Sequence, residues 1–172
     1  MDPIKLGQVT NADVYMDGAQ IIGRIDEFKI EGVGYKEVKH EALGMIANVE
    51  LPGRTLEPMK AKIKFAWLDE AVMRKTALPN RVVNFQTQQY VDIFDSDGLV
   101  IEQGHRLITS LGVLFRQSDL DAIKNGEKAG DDLECSVVRL RVTTSRSSVP
   151  IREISVFDNI NRADGKDVWP TY

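Results

Sequence analysis

One cysteine in 172 residues, Cys135, leaves no partner for an intrachain disulfide and no second thiolate for a multi-cysteine zinc cage. Stability therefore comes from packing or from partners. The two histidines, His40 and His105, lie in stretches of opposite character with no third ligand pattern nearby, which argues against a metal site or a catalytic triad. No apolar run approaches the roughly 20 residues of a membrane-crossing helix, and Met1-Asp2-Pro3-Ile4-Lys5-Leu6-Gly7-Gln8 lacks the apolar h-region of a signal peptide. The expectation is a protein that is cytosolic when made and has no membrane insertion. A cationic surplus is missing as well: 22 Lys and Arg against 26 Asp and Glu give a formal charge of −4. That balance argues against tight, phosphate-neutralising capture of nucleic acid.

Catalytic signatures are equally scarce, with no HExxH, CxxC, GxSxG, GxxxxGK[ST] or GxGxxG. Gly32-Val33-Gly34 lacks a third glycine and reads as relief for a twisted strand or bulge. Cys135 sits in the apolar stretch Leu133-Glu134-Cys135-Ser136-Val137-Val138, where it acts as a small packed hydrophobe. The acidic pairs Asp131-Asp132 and Asp95-Asp97 adjoin glycines and read as turn residues. Catalytic residues, cofactors and metal ligands are thus all expected to be absent, and the chain is expected not to be an enzyme.

What the chain has is alternation, with 42% of its residues apolar and 28% charged, ordinary proportions for a single globular domain. In Met59-Lys60-Ala61-Lys62-Ile63-Lys64-Phe65 the apolar residues share one face and three lysines the other, as in a half-buried strand. Ala47 to Leu51 alternates likewise, so that these two strands are arms of a hairpin around Pro52-Gly53-Arg54 or flank a longer loop. Asp17-Gly18, between Val14-Tyr15-Met16 and Gln20-Ile21-Ile22, is a hairpin turn, and alternation resumes through Phe28, Ile30, Val33 and Tyr35.

Ala66 to Leu78 breaks the period of two. Trp67, Leu68, Ala71, Val72 and Leu78 recur at helical spacing, acidic Asp69 and Glu70 precede basic Arg74 and Lys75, and Pro79 supplies a stop, which predicts one amphipathic helix. Val83 to Phe94 is a long strand whose polar face carries Asn84, Gln86 and Gln88, suited to water, to a wide wet channel or to a subunit contact. Asp95-Ser96-Asp97-Gly98 turns the chain back, strands follow at Leu107 to Arg116, Leu133 to Thr144 and Ile151 to Phe157, and Ser118 caps a short helical turn reaching Lys124. Residues 158–172 read as polar and irregular. The fold class is mainly β with one central α-helix, an antiparallel β-sandwich or barrel.

Three stretches, in order across nearly the whole chain, resemble one family. Asn11-Ala12-Asp13-Val14-Tyr15-Met16-Asp17-Gly18 with Gly23 is similar to its opening strand, turn and second strand. Gly126-Glu127-Lys128 resembles its glycine-glutamate element, and Arg152-Glu153-Ile154 with Asp158, Asn161, Asp164-Gly165 and Asp167 resembles its last strand and trailing turn. The family is that of the major tail tube proteins of contractile-tailed phages, related to bacteriocin and type VI secretion tubes; the closing Val168-Trp169-Pro170-Thr171-Tyr172 departs from its pattern.

The resemblance implies one tail-tube domain over 1–172 that forms hexameric rings stacked into a tube, in the virion tail and, before assembly, in the host cytoplasm. It also implies as partners a sheath protein, a tape-measure protein, baseplate and terminator proteins, and transient non-specific passage of DNA. Leu43, Met45, Ile46, Arg54 and Leu56, apolar or basic in turn-rich sequence, are the candidate inter-subunit contacts. Asn84, Gln86 and Gln88 are the candidates for a lumen free of basic stripes, while Lys60, Lys62 and Lys64 are expected away from it or neutralised by neighbours such as Glu50. A tube of a phage-derived injection or type VI secretion system is the near alternative. A small-ligand-binding β-barrel with a closed apolar pocket is the alternative from a different class.

Overall fold

Strict alternation at Lys60–Phe65 becomes a strand whose apolar residues Ala61, Ile63 and Phe65 are buried and whose lysines are exposed, as the period of two requires. The computed structural model describes residues 4–21, 24–44, 46–67, 69–120 and 130–170, excluding the side chains of 117–120 and 131. In chain order its strands are β1 (Leu6–Met16), β2 (Ala19–Gln20), β3 (Ile25–Glu31), β4 (Tyr35–His40), β5 (Val49–Leu56) and β6 (Lys60–Phe65). After helix α1 (Glu70–Thr76) come β7 (Val83–Asp95), β8 (Gly98–Leu99), β9 (His105–Leu120), β10 (Asp131–Thr144), β11 (Ser147–Ser155), β12 (Ile160–Ala163) and β13 (Lys166–Asp167).

The main sheet runs β13-β12-β11-β10-β9-β7-β1-β2, with antiparallel neighbours throughout. β10 gives one edge to two partners: Asp131 to Ser136 pair with β6, and Arg139 to Thr144 pair with β11. The changeover falls at a register irregularity between Val137 and Arg139, where Val137 N–H donates to Met59 O and Val156 N–H to Val138 O. One extra residue bends the strand there. β6 can then leave the sheet, carrying β3 with it, and fold across the apolar face.

Phe28 of β3 lies 5.8 Å from Phe85 of β7, and Phe85 lies 6.2 Å from Phe115 of β9, so the folded-over strands close a core with the main sheet. Val72 of α1 is buried in the same cluster as Phe65, Leu111, Leu133, Cys135 and Ile154. The mainly β fold with one central α-helix, read from alternation and from its break at Ala66 to Leu78, is the architecture found among the described residues.

Several local readings hold. Asp17 and Gly18, both with positive φ (47° and 82°), form the turn joining β1 to β2. Asp97 N–H donates to Asp95 Oδ1 in the turn before β8. Asp69 caps α1 by accepting from Val72 N–H at 2.8 Å, and Glu70 pairs with Arg74. The helix is shorter than Ala66 to Leu78: the Asp69 cap sets its start, and Arg24, over the Trp67 ring and 2.5 Å from Asp69, holds that start in place. Leu68 lies outside the described residues.

Other readings are corrected. β5 pairs with β4 and not with β6, so Pro52 and Gly53 lie inside a strand rather than in a turn. Gly53 is needed there because a Cβ would sit 2.7 Å from the Lys36 carbonyl oxygen. Gly32 and Gly34 lie in the link between β3 and β4. Ser118 lies in β9 and Asp131-Asp132 in β10, since these long strands pair almost to their tips; residues 121–124 of the expected helical turn are not described. Residues 158–172, read as irregular, hold β12 and β13 around a turn at Asp164 (φ 49°) and Gly165 (φ 73°).

Candidate assembly surfaces

β4 and β5 form a two-stranded sheet of their own, an arm beside the body. Nearly every arm residue is exposed, including the apolar Val38, Val49 and Leu51, and the tip residues Leu43 and Ile46 are fully exposed. A hairpin this bare is marginal by itself in water and gains most from a surface to lie on. Its Lys39–Glu50 ion pair at 3.2 Å is solvent-exposed and adds little.

The root of the arm is built differently. Tyr35 Oη accepts hydrogen bonds from Arg152 Nη2 (3.3 Å) and Asn161 Nδ2 (3.1 Å), and the Trp169 ring meets Tyr35 edge to face. Arg54 lies over Trp169 and its Nη1 donates to Pro170 O at 3.5 Å, while Leu56 packs against the core. The five candidate contact residues thus divide: Leu43 and Ile46 stand free at the tip, Arg54 and Leu56 hold the root, and Met45 lies outside the described residues.

A second surface is a strand border. β2 covers Tyr15 and Met16 of β1, Ile21 N–H donates to Val14 O at 2.9 Å, and among the described residues no strand covers the same border from Leu6 to Asp13. Leu6 and Val9 are exposed on it. At the opposite end the sheet tapers into the short β12 and β13.

The third surface is the polar face of the main sheet. Asn84, Gln86 and Gln88 lie on one parity of β7, in register with Gly112, Ser110 and Ile108 of β9. They do not make a neutral surface. Arg139 Nη2 donates to Asn84 Oδ1 at 3.1 Å, and Arg106 Nη1 donates to Gln88 Oε1 at 3.3 Å. Arg141 stands in register with Ser110, and Arg139 and Arg141 share a cleft of about 400 Å³ with Tyr15, Asn84, Gln86 and Glu153. This corrects the expected absence of basic residues beside the three amides. The available signal was Arg139-Leu140-Arg141, two arginines on one strand face, read only as strand.

The lysine stripe lies on β6, beside the first half of β10. Lys62 Nζ sits 3.2 Å from Glu134 and 3.7 Å from Glu31, and these carboxylates, Glu134 first, hold its pKa above the ordinary lysine value. The neutralising neighbours are therefore Glu134 and Glu31; the expected Glu50 is engaged with Lys39.

Cys135 is fully buried, its Sγ–H donates to Ala61 O at 3.3 Å, and burial pushes the thiol up to about 12, so it is a packed side chain. His40 is exposed on the arm, and His105 Nδ1 lies 3.3 Å from Gln103 O. Among the described residues no cluster of His, Cys, Asp and Glu could hold a metal ion, and no described helix is long and apolar enough to cross a membrane.

The family model described as "Phage tail tube protein FII" matches residues 7–172. No curated protein sequence matches the chain. Two solved structures share the fold at 9% identity each. One is a chain from the sheath/tube terminator of an extracellular contractile injection system, PVC, in its extended state (TM-score 0.53, covering 83% of this chain and 98% of that one). The other is from the sheath-tube complex of the same kind of system (TM-score 0.51, 79% and 90%).

Proposed function

The chain belongs to the phage tail tube protein FII family, and on that premise we propose how this tail tube structural protein assembles. Copies join side by side into a closed ring through the uncovered border of β1, and rings stack into a tube through the arm formed by β4 and β5. The observation that carries this reading is the β1 border from Leu6 to Asp13, unpaired among the described residues: a long unpaired edge is a template for another strand, and ring closure removes it. Six copies per ring is the number taken from the family.

The tip residues Leu43 and Ile46 bury themselves on the next ring, with Met45 between them in sequence. The face of Asn84, Gln86 and Gln88 lines the bore, and the lysine face of β6 points outward. The outer wall meets a sheath protein, the ends meet baseplate and terminator proteins, and the bore holds a tape-measure protein before DNA passes. The activity is this geometry rather than a reaction, and its place is the virion tail after assembly from subunits in the host cytoplasm.

The test is to charge the border. Leu6→Lys with Val9→Lys, two exposed sites, leaves the subunit folded and prevents ring growth, because lysines on an edge strand oppose pairing. Rings or tubes formed by this variant as readily as by the wild type would remove the β1 border from the account.

A further inference from the structure

Three arginines on the polar face make no ion pair among the described residues. Arg106 is held by the Gln88 amide and lies over the Tyr90 ring at 4.8 Å; Arg139 is held by the Asn84 amide. These partners are neutral amides, so they fix the guanidinium groups without adding a counter-charge. Arg141 is exposed and stands in register with Glu153 without an ion pair to it among the described residues. Arg139 and Arg141, two residues apart on one strand, lie about 7 Å from each other along β10.

Carboxylates lie to either side of this strip. Asp13 of β1 is in register with Gln88 on one side, and Glu153 of β11 lies beyond Arg141 on the other. Asp92 sits further along β7, and Asp158, at the rim of the cleft, accepts from Ser155 Oγ at 2.5 Å. Arg162, past Glu153, is paired with Asp167 at 2.9 Å. The arginines without an ion pair among the described residues therefore follow β9 and β10 between two acidic margins.

We infer that Arg106, Arg139 and Arg141 form a track for the phosphate backbone of double-stranded DNA, bordered by Asp13 and Glu153. Guanidinium groups donate to phosphate oxygens in fixed fork geometry, while the acidic margins repel a polyanion that strays sideways. With so few cations per subunit and no base edge read, each contact is weak, salt-screened and independent of sequence, which permits sliding. The inference rests on the proposed bore for where the DNA runs, but the charge pattern belongs to the single subunit.

The experiment titrates a fluorescent short duplex DNA with the full chain, both as dilute subunit and as assembled tubes, over a series of low salt concentrations. Replacing Arg106, Arg139 and Arg141 together by Gln weakens binding about tenfold or more and flattens the log K against log salt slope by about 0.9 for each phosphate that is no longer neutralised. The charge-preserving pair Arg139→Lys and Arg141→Lys keeps most of the slope, which separates an effect of charge from a damaged fold. Replacing Lys60, Lys62 and Lys64 by Gln leaves binding unchanged. Binding that survives the arginine changes, that follows the lysines instead, or that favours an acidic protein over duplex DNA overturns the track. Arginine-dependent binding by a subunit that never forms rings would overturn the bore and leave the track standing.

Discussion

Tyr35 and Trp169 meet edge to face, with ring centroids 6.0 Å apart and planes at 86°, and this contact ties the C-terminal hairpin to the root of the arm. Residues far apart in sequence thereby fix the direction in which the arm leaves the body. Trp169→Ala removes the aromatic pair, worth about 0.5–1.5 kcal/mol beyond area burial. Limited proteolysis should then cut between β4 and β5 several-fold faster, with little change in the melting temperature of the body. An unchanged cleavage rate would show that the arm is held elsewhere.

Phe65, fully buried in β6, tests which face is inward. Phe65→Asp places a carboxylate in the core and should cost more than about 4 kcal/mol, enough to leave the chain insoluble or unfolded. Soluble variant protein with the wild-type circular dichroism spectrum would reverse the assignment.

Alternation and turn chemistry made much of this fold readable. Lys60 to Phe65 and Val83 to Phe94 show their faces in their own residues, and Asp17-Gly18 and Asp95 to Gly98 announce hairpins locally. The pairing of β5 was hidden because Pro52-Gly53 reads as a turn until the Lys36 carbonyl is seen to need the space. The double partnership of β10 depends on a single irregularity beside Val138, which no period reveals. On the polar face the amides of β7 were legible, but the arginines that bind them come from β9 and β10, and only the register brings them there.

Asp17 carries a pH dependence. Burial works to raise its carboxyl, but the Asn84 N–H at 3.0 Å and the Lys75 ammonium at 3.0 Å outweigh it, so its pKa lies below the ordinary carboxylate value. A lowered folded-state pKa gives stability that is present above the unfolded value, about 3.9, and is lost as pH falls through the folded value. Asp17→Asn keeps a residue that tolerates positive φ and removes the charge. Denaturant titrations should show the variant less stable by roughly 0.5–1.5 kcal/mol at pH 7, with the gap narrowing as pH falls below the ordinary carboxylate value. A gap independent of pH would assign the effect to shape rather than charge.

Leu43 and Ile46 separate stacking from ring formation. Leu43→Ser with Ile46→Ser deletes apolar surface that no described residue covers, so the subunit should melt as the wild type does. Electron microscopy should then show single rings in place of tubes. Tubes of normal length would mean that the arm tip makes no contact between rings.

Cryo-electron microscopy of the purified protein at high concentration and moderate salt tests the central claim most directly, because it resolves what lies against β1. The account predicts annular particles in which a strand of the neighbouring copy continues the sheet along Leu6 to Asp13. Monomers at every concentration, or rings in which that border faces only solvent, would contradict it.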